Sequence, residues 1–307
     1  MDKKLIIDCD PGHDDAMAIL LAASKGNGLQ IEAMTTVAGN VGVDKNTINA
    51  LRVCELAGLD DTLVAKGADR PLVREPLEAA HVHGKSGLDG TSLPEKPVKQ
   101  AADMHAVDVI IEKIMNADKD ISIVAIGPLT NIALAMRREP RIIPRIQEIA
   151  IMGGGTFGNR TPAAEFNIYA DAEAAKIVFE SGAPLTMFGL DVTHQALATD
   201  ERMKQLAAID TPAAAAVMDM LHFYSGAYKG QFAGAALHDP CPVAYLIDPA
   251  MFQLENVRVD VETKGEFTYG MTVIDGSDRP NREPNVQFAR QLDSDRFWQL
   301  FMNALSE

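Results

Sequence analysis

Residues Lys4 to Leu20, KLIIDCDPGHDDAMAIL, decide the fold. Leu5, Ile6 and Ile7 form a short apolar run with β-branched members, the pattern of a strand buried on both faces in a parallel sheet. Asp8 and Asp10, two apart, leave that strand on one face. Pro11 and Gly12 break it, and Asp14 and Asp15 open an apolar helix. Four carboxylates therefore crowd one strand end. A helix N-terminus carries only about half a positive charge, so it cannot neutralise them, and their repulsion raises some of their pKa values unless a cation is bound. Oxygen ligands on short, rigid side chains favour a hard ion, calcium ahead of magnesium, over zinc, which usually takes His or Cys as well. The plainer alternative is that Asp14 or Asp15 caps the helix while Asp8 is solvated at a loop edge.

The rest of the composition narrows the class. The 307 residues, 47% of them hydrophobic, can supply the core of one large α/β domain or two ordinary ones. No composition break or internal repeat marks a linker, so residues 1–307 are read as a single domain. A net charge of −15 without a Lys/Arg cluster argues against nucleic acid as a partner. Cys9, Cys54 and Cys241 are far apart and odd in number, which excludes a disulfide framework and fits a reducing cytoplasm. MDKKLII enters the first strand without a signal-peptide core, and no apolar run approaches the ~20 residues that span a bilayer, so a soluble cytoplasmic protein without membrane attachment is expected.

Along the chain, strands and helices alternate. The first helix ends near Ser24, before Gly26 and Gly28, and IEAMTTVAGN (31–40) reads as a strand ending at Gly39 and Asn40. Residues 44–57 have helical spacing, and Leu63 to Val73 reads as a short strand. AAHVHGKSGLDGTSLP (79–94) has three glycines and no period, so it reads as a long loop of the length that often serves as a lid, with His83 the better candidate of its two histidines. ISIVAIG (121–127) is a buried strand leading to a helix that Thr130 could cap, and EIAIMGGG (148–155) repeats the strand pattern. The glycine run allows close backbone approach to a ligand or simply makes a turn; the GxGxxG spacing of a nucleotide fingerprint is absent. TFGNRTPAAEFNIYAD (156–171) gathers Asn159, Glu165 and Asn167, groups that suit sugar hydroxyls, and a helix follows over 172–179.

PLTMFGLDVT (184–193) reads as a further strand, and Thr211 to Tyr228 as a long helix carrying His222, Tyr224 and Tyr228, whose tyrosines either shape a pocket or pack. His238 and Asp239 precede Pro240 at a loop-to-helix junction, where side chains can face a cleft. VRVDVET, YGMTVID and NVQFARQLD read as a small antiparallel portion before a last helix over 295–305. The fold class is thus α/β, a mostly parallel doubly wound sheet flanked by helices, with ligands expected outside the carboxyl ends of its strands, near Asp10, Asn40, Ile126, Met152 to Gly155 and Asp191.

Taken together, DCDPGHDDAMAI, the VAGN turn, GPLTNIA, the MGG strand end, AEFN and the HDP triplet resemble the nucleoside hydrolases of the inosine-uridine-preferring superfamily, and look closest to its pyrimidine-type ribonucleoside hydrolases. The resemblance runs over nearly the whole chain, and DxDPGxDD is its most specific motif. It implies hydrolysis of ribonucleosides to base and ribose, by uridine, cytidine or inosine cleavage, in a homotetramer. It implies a calcium ion held by Asp10, Asp15 and Asp239 with the carbonyl of Ile126, where the family often has Thr. It gives ribose contacts to Asp14, Asn159, Glu165, Asn167 and Asp239, with Asn40, Met152 and Phe166 in the same pocket.

The chemistry agrees with that resemblance. Cleaving an N-glycosidic bond passes through an oxocarbenium-like sugar, which a carboxylate-rich site favours electrostatically. Asp10 is then the general base, and calcium orients water and the ribose hydroxyls. His238 is placed to help the departing base, with His83 as its assistant, because an imidazole titrates near neutral pH; the alternative for His238 is that it only positions Asp239. A haloacid dehalogenase-type phosphohydrolase, with Asp8 as nucleophile and Asp10 as acid, and a nucleoside phosphorylase both meet the same objection: phosphate would face uncompensated negative charge. A calcium-dependent sugar- or nucleoside-binding protein without turnover would not need Asp10 and His238 together.

Overall fold

β1 (Lys3–Cys9) is the strand on which the architecture turns. In this computed structural model, which describes residues 2–228, 232–277 and 282–307, it is followed by α1 (His13–Ala23), β2 (Leu29–Thr36), α2 (Val43–Leu56) and β3 (Val64–Lys66). The chain continues through α3 (Ala80–His83), α4 (Ala106–Asn116), β4 (Ile121–Ala125), α5 (Thr130–Arg138), β5 (Glu148–Met152), α6 (Phe166–Ala170), α7 (Ala172–Phe179) and β6 (Leu185–Phe188). The last third comprises α8 (Leu190–Thr193), β7 (Leu197–Thr199), α9 (Asp200–Leu206), α10 (Pro212–Tyr228), β8 (Gly234–Ala236), α11 (Pro240–Ile247), β9 (Phe252–Val261), β10 (Thr272–Asp275), β11 (Val286–Leu292) and α12 (Ser294–Leu305).

Nine strands form one sheet in the order β10-β9-β11-β6-β5-β4-β1-β2-β3. β1 pairs in parallel with β2 on one side and β4 on the other, so the winding reverses at the β1/β4 crevice, where such sheets bind ligands. β9 and β10 form the antiparallel edge: β11 pairs in parallel with β6 and antiparallel with β9. The fold is thus the expected α/β class with a small antiparallel part near the C-terminus. β7 and β8 form a separate two-stranded pair whose second strand delivers the chain to His238.

Both sheet faces are covered, as the continuous apolar runs require. Along β1, Leu5, Ile7 and Cys9 enter one core with α1, α10, α11 and α12, while Ile6 enters the other with α4, α5 and α7. α1 is buried over His13 to Ala22, so its apolar sequence serves neighbours on every side.

Several local expectations are corrected. β3 is only Val64–Lys66, because Gly67 sits against Asn131 and the Thr36 carbonyl, where an added Cβ would lie 2.3 Å from the amide oxygen, and Pro71 follows. The strand expected over 184–193 ends at Phe188, and Gly189 turns the chain into α8. The 79–94 segment contains the short helix α3 and is pinned by Asn49, Arg52 and Lys45, which donate to the carbonyls of Ser86, Leu93 and Lys85. Thr130 does not cap α5: it is the first helical residue, and its hydroxyl donates to Asp171 (2.7 Å). α4 lies in a stretch that the sequence reading leaves unassigned.

Candidate active site

The carboxyl ends of β1, β2, β4 and β5 open onto a cavity of about 690 Å³. Asp14, Asn40, Ile126, Met152, Asn159, Glu165, Phe166, Asn167, His83, His238 and Asp239 all line it, so the structure brings together nearly every residue singled out from the sequence. Asp10 and Asp15 do not line the cavity; both are fully buried beside Asn40, whose side-chain amide donates to the Asp10 carbonyl (3.0 Å) and to Asp15 Oδ2 (3.2 Å). Asp191 lies outside the lining and accepts the Thr156 amide (2.8 Å) and hydroxyl (2.6 Å).

The first helical turn explains how acids converge here. Asp15, three residues past the N-cap Gly12, accepts the Gly12 amide (2.9 Å) and the Asp10 amide (3.1 Å). It thus caps the helix and faces the acidic cluster at once. Asp239 is the N-cap of α11 but makes no cap bond to that helix; its carboxylate turns toward α1. Carboxylate oxygens of Asp14, Asp15 and Asp239 lie within 4.8 Å of one another, the group among the described residues that could hold a metal ion. Asp8 departs from the cluster, because its Oδ1 accepts Thr35 Oγ1 (2.5 Å) and Asn131 Nδ2 (2.8 Å).

Asp10 is held without freedom. Its Oδ2 accepts the Asn40 amide (2.6 Å), and a Cβ on Gly39 or Gly127 would lie 2.0 or 2.6 Å from its carboxylate oxygens. Its Oδ1 is buried with no hydrogen-bond partner among the described residues. Burial first, then the Asp15 charge, raises the Asp10 carboxyl well above the usual range, and burial with the Asp14 charge does the same for Asp239. Burial and Asp15 push Asp14 to about 7; burial pushes Asp15 to about 6 against the two amide bonds that lower it. Two like charges 4 Å apart repel by about 4 kcal/mol at an effective dielectric constant of 20, more than a helix end offsets. The all-oxygen donors, the orphaned Asp10 oxygen and this repulsion fit a hard dication.

One side of the cavity is built from α6 and the turn before it. Glu165 caps α6 by accepting the Asn167 amide (3.0 Å) and also accepts the Gly154 amide (2.9 Å), and burial pushes its carboxyl to about 7. Asn167 Nδ2 donates to the carbonyls of Ile126 (3.1 Å) and Met152 (3.2 Å), tying β4 to β5 across the crevice. Asn159 is exposed and accepts the Phe166 amide (2.9 Å). Of the glycine run, Gly154 and Gly155 have φ of 71° and 149° and lie in a turn outside the cavity lining.

On the opposite side stand rings and hydroxyls that sequence spacing left ambiguous. Tyr228 Oη lies 2.7 Å from His238 Nε2 and 2.9 Å from Tyr224 Oη, and Tyr224 donates to Asp14 (3.4 Å). Thr193, not singled out from the sequence, bonds His238 Nδ1 (2.7 Å). Burial lowers His238 to about 3, so its imidazole is neutral, and both ring nitrogens are already engaged by hydroxyls. His238 thus lines the cavity with its ring held between the Thr193 and Tyr228 hydroxyls. His222 is exposed. His194, Phe157 and Phe232 complete the cavity lining, with the His194 ring centroid 4.5 Å from that of Phe232 and the planes tilted by 48°; no motif announces them.

Buried carboxylates, the amides and carboxylate around α6, and a hydroxyl chain toward an imidazole give this cavity the donors and acceptors that suit a polyhydroxylated small molecule. The profile of the inosine-uridine preferring nucleoside hydrolases matches residues 5–299, and the chain belongs to that family. It is 44% identical to the inosine-uridine preferring nucleoside hydrolase of Crithidia fasciculata, over 99% of this chain and 98% of that protein. It is 45% identical to the pyrimidine-specific ribonucleoside hydrolase RihA of Shewanella sp. strain MR-7, over 100% of this chain and 97% of that one. The plant nucleoside hydrolase PpNRh1 superposes with a TM-score of 0.93 at 35% identity, covering 100% of this chain and 99% of that chain. The protein is thus a ribonucleoside hydrolase, an N-glycosidase.

Proposed function

We propose that this enzyme hydrolyses uridine and cytidine first and inosine second, dependent on calcium. The observation that carries the reading is the convergence of Asp14, Asp15 and Asp239 within 4.8 Å beside the unpartnered Asp10 Oδ1. Asp10, Asp15, Asp239 and the Ile126 carbonyl would hold the ion. When bound, calcium supplies the positive charge that lets these carboxylates ionise together and orients water and ribose hydroxyls.

Asp10 is the general base: its free Oδ1 takes the proton of the attacking water, while the Asn40 amide fixes the other oxygen. Asp14, Asn159, Glu165, Asn167 and Asp239 bind ribose hydroxyls, with Met152 and Phe166 closing the sugar's other surfaces. The negative field of these acids stabilises the oxocarbenium-like sugar. The departing base receives its proton through Tyr228, which His238 holds, and His83, stacked on Tyr224, offers a further donor. Pyrimidine preference draws support from the RihA relative, and the Crithidia relative keeps inosine in the range.

The test is release of reducing sugar from uridine, cytidine, inosine and adenosine by chelated protein before and after calcium addition. Uridine and cytidine giving the highest kcat/KM, only with calcium restored, is the expected result. Full activity after exhaustive chelation would remove the calcium assignment, and faster inosine than uridine cleavage would reverse the base preference.

A further inference from the structure

His13 is the first residue of α1, fully buried, and absent from the cavity wall. Its contacts are to the segment that carries His83. The His13 backbone amide donates to His83 Nδ1 (3.2 Å), the two Nδ1 atoms are 3.1 Å apart, and His13 Nε2 lies 2.9 Å from the Asp89 carbonyl oxygen. An amide N–H can only donate and a carbonyl only accept, so the first and last contacts fix both tautomers: each imidazole carries its proton on Nε2. His83 lines the cavity, and its Nε2 has no hydrogen-bond partner among the described residues. That N–H is therefore available to a ligand.

With both protons on Nε2, the two Nδ1 lone pairs oppose each other, and rings so placed turn apart unless they are held. They are held. His13 stacks on Phe223 (5.2 Å), Tyr224 (5.7 Å) and His83 (5.4 Å), and His83 stacks on Tyr224 (5.4 Å). Gly12 leaves room for the arrangement, since a Cβ there would lie 2.5 Å from His83 Nδ1. Asp89 is itself fixed: its carboxylate accepts the amides of Lys85 (2.9 Å) and Ser86 (3.0 Å).

We propose that His13 is a positioning residue for leaving-group departure: it holds the His83 ring in the orientation and tautomer that present Nε2–H to the departing base. The proposal rests on the reading that His83 faces the base. It connects the first turn of α1, which supplies Asp14 and Asp15, with the segment that carries His83 to the cavity wall.

The test compares kcat on uridine and on p-nitrophenyl riboside, whose phenolate leaves without a proton, for the calcium-loaded wild type, His13→Leu, His13→Gln, His83→Ala and the His13→Leu/His83→Ala double variant. His13→Leu is expected to lower the uridine-to-nitrophenyl ratio about tenfold, His83→Ala at least as much, and the double variant no further than His83→Ala alone. His13→Gln, whose amide keeps a donor for the Asp89 carbonyl, is expected to fall between wild type and His13→Leu, and it carries the test alone if the leucine variant does not fold. An unchanged ratio in either His13 variant, an equal loss on both substrates, or a His13→Leu loss that adds in full to that of His83→Ala overturns the proposal. An unchanged ratio in His83→Ala removes the reading beneath it, and the proposal falls with it.

Discussion

Asp10 shows how a single side chain is prepared for one task. Its Oδ2 is committed to the Asn40 amide and its Oδ1 to nothing, so one oxygen fixes the group and the other stays free to act. Asp10→Asn retains an oxygen for the Asn40 amide but loses the basic carboxylate, so kcat on uridine should fall at least ~100-fold with the fold retained. A rise in KM with kcat intact would mean that Asp10 serves binding only. Tyr228→Phe keeps the ring and cuts the chain from His238, so it should slow nucleosides about tenfold or more while slowing p-nitrophenyl riboside less; Asp14→Ala should impair both, since the sugar is common to them. Equal losses for Tyr228→Phe on the two substrates would make the tyrosine a packing residue. Asp10, Asp14 and Asp15 were legible because they are neighbours in sequence; Asp8 was read into the same cluster, and its bonds to Thr35 and Asn131, from distant segments, take it out. The tyrosines were not, because an i,i+4 pair on a helix looks the same whether it packs or relays a proton. His13 was hidden for a related reason: its partners Asp89 and Phe223 come from distant segments, and nothing local in DPGHDD marks a ring stack.

At the scale of elements, the site depends on how closely strand ends approach. The β1–α1 junction is flanked by the turn after β2 and the turn after β4, and at each a glycine faces Asp10. Gly39→Ala would put a Cβ 2.0 Å from Asp10 Oδ2, so either the turn or the carboxylate must move. The expected outcome is a loss of about 1–3 kcal/mol in denaturant-measured stability together with a large drop in kcat. A variant with wild-type melting and activity would show that this approach is not demanding. Elements with a single strong signal were readable from sequence: the β-branched runs of β1, β4 and β5, and the helices that follow them. β3 and β6 were read too long because apolar residues continue past Lys66 and Phe188, while Gly67 and Gly189 end the strands through close contacts with distant backbone and side chains that no local pattern reveals.

For the whole molecule, the acidic floor makes stability, metal and pH one linked quantity. In the metal-free protein, burial holds the carboxyls of Asp8 and Glu165 at about 7 and, with help from neighbouring charge, Asp14 at about 7, while Asp15 stands at about 6. Unfolded carboxyls titrate near ~4. Between those values the folded state binds more protons than the unfolded one, so unfolding free energy decreases as pH rises through the window from about 4 to about 7. The contribution of these groups is fully present below pH ~4 and is lost as pH passes their folded values. A cation that binds only the native state acts in the opposite direction, adding about 2.7 kcal/mol at 100 times its Kd, and it binds best where the carboxylates can ionise. The difference in thermal midpoint between calcium-loaded and chelated protein should therefore widen from pH 5 to pH 8, with the chelated protein melting earlier at each step upward and the loaded protein changing less. A gap that is constant across this range, or widest at pH 5, would show that the cluster is not where the ion stabilises the fold.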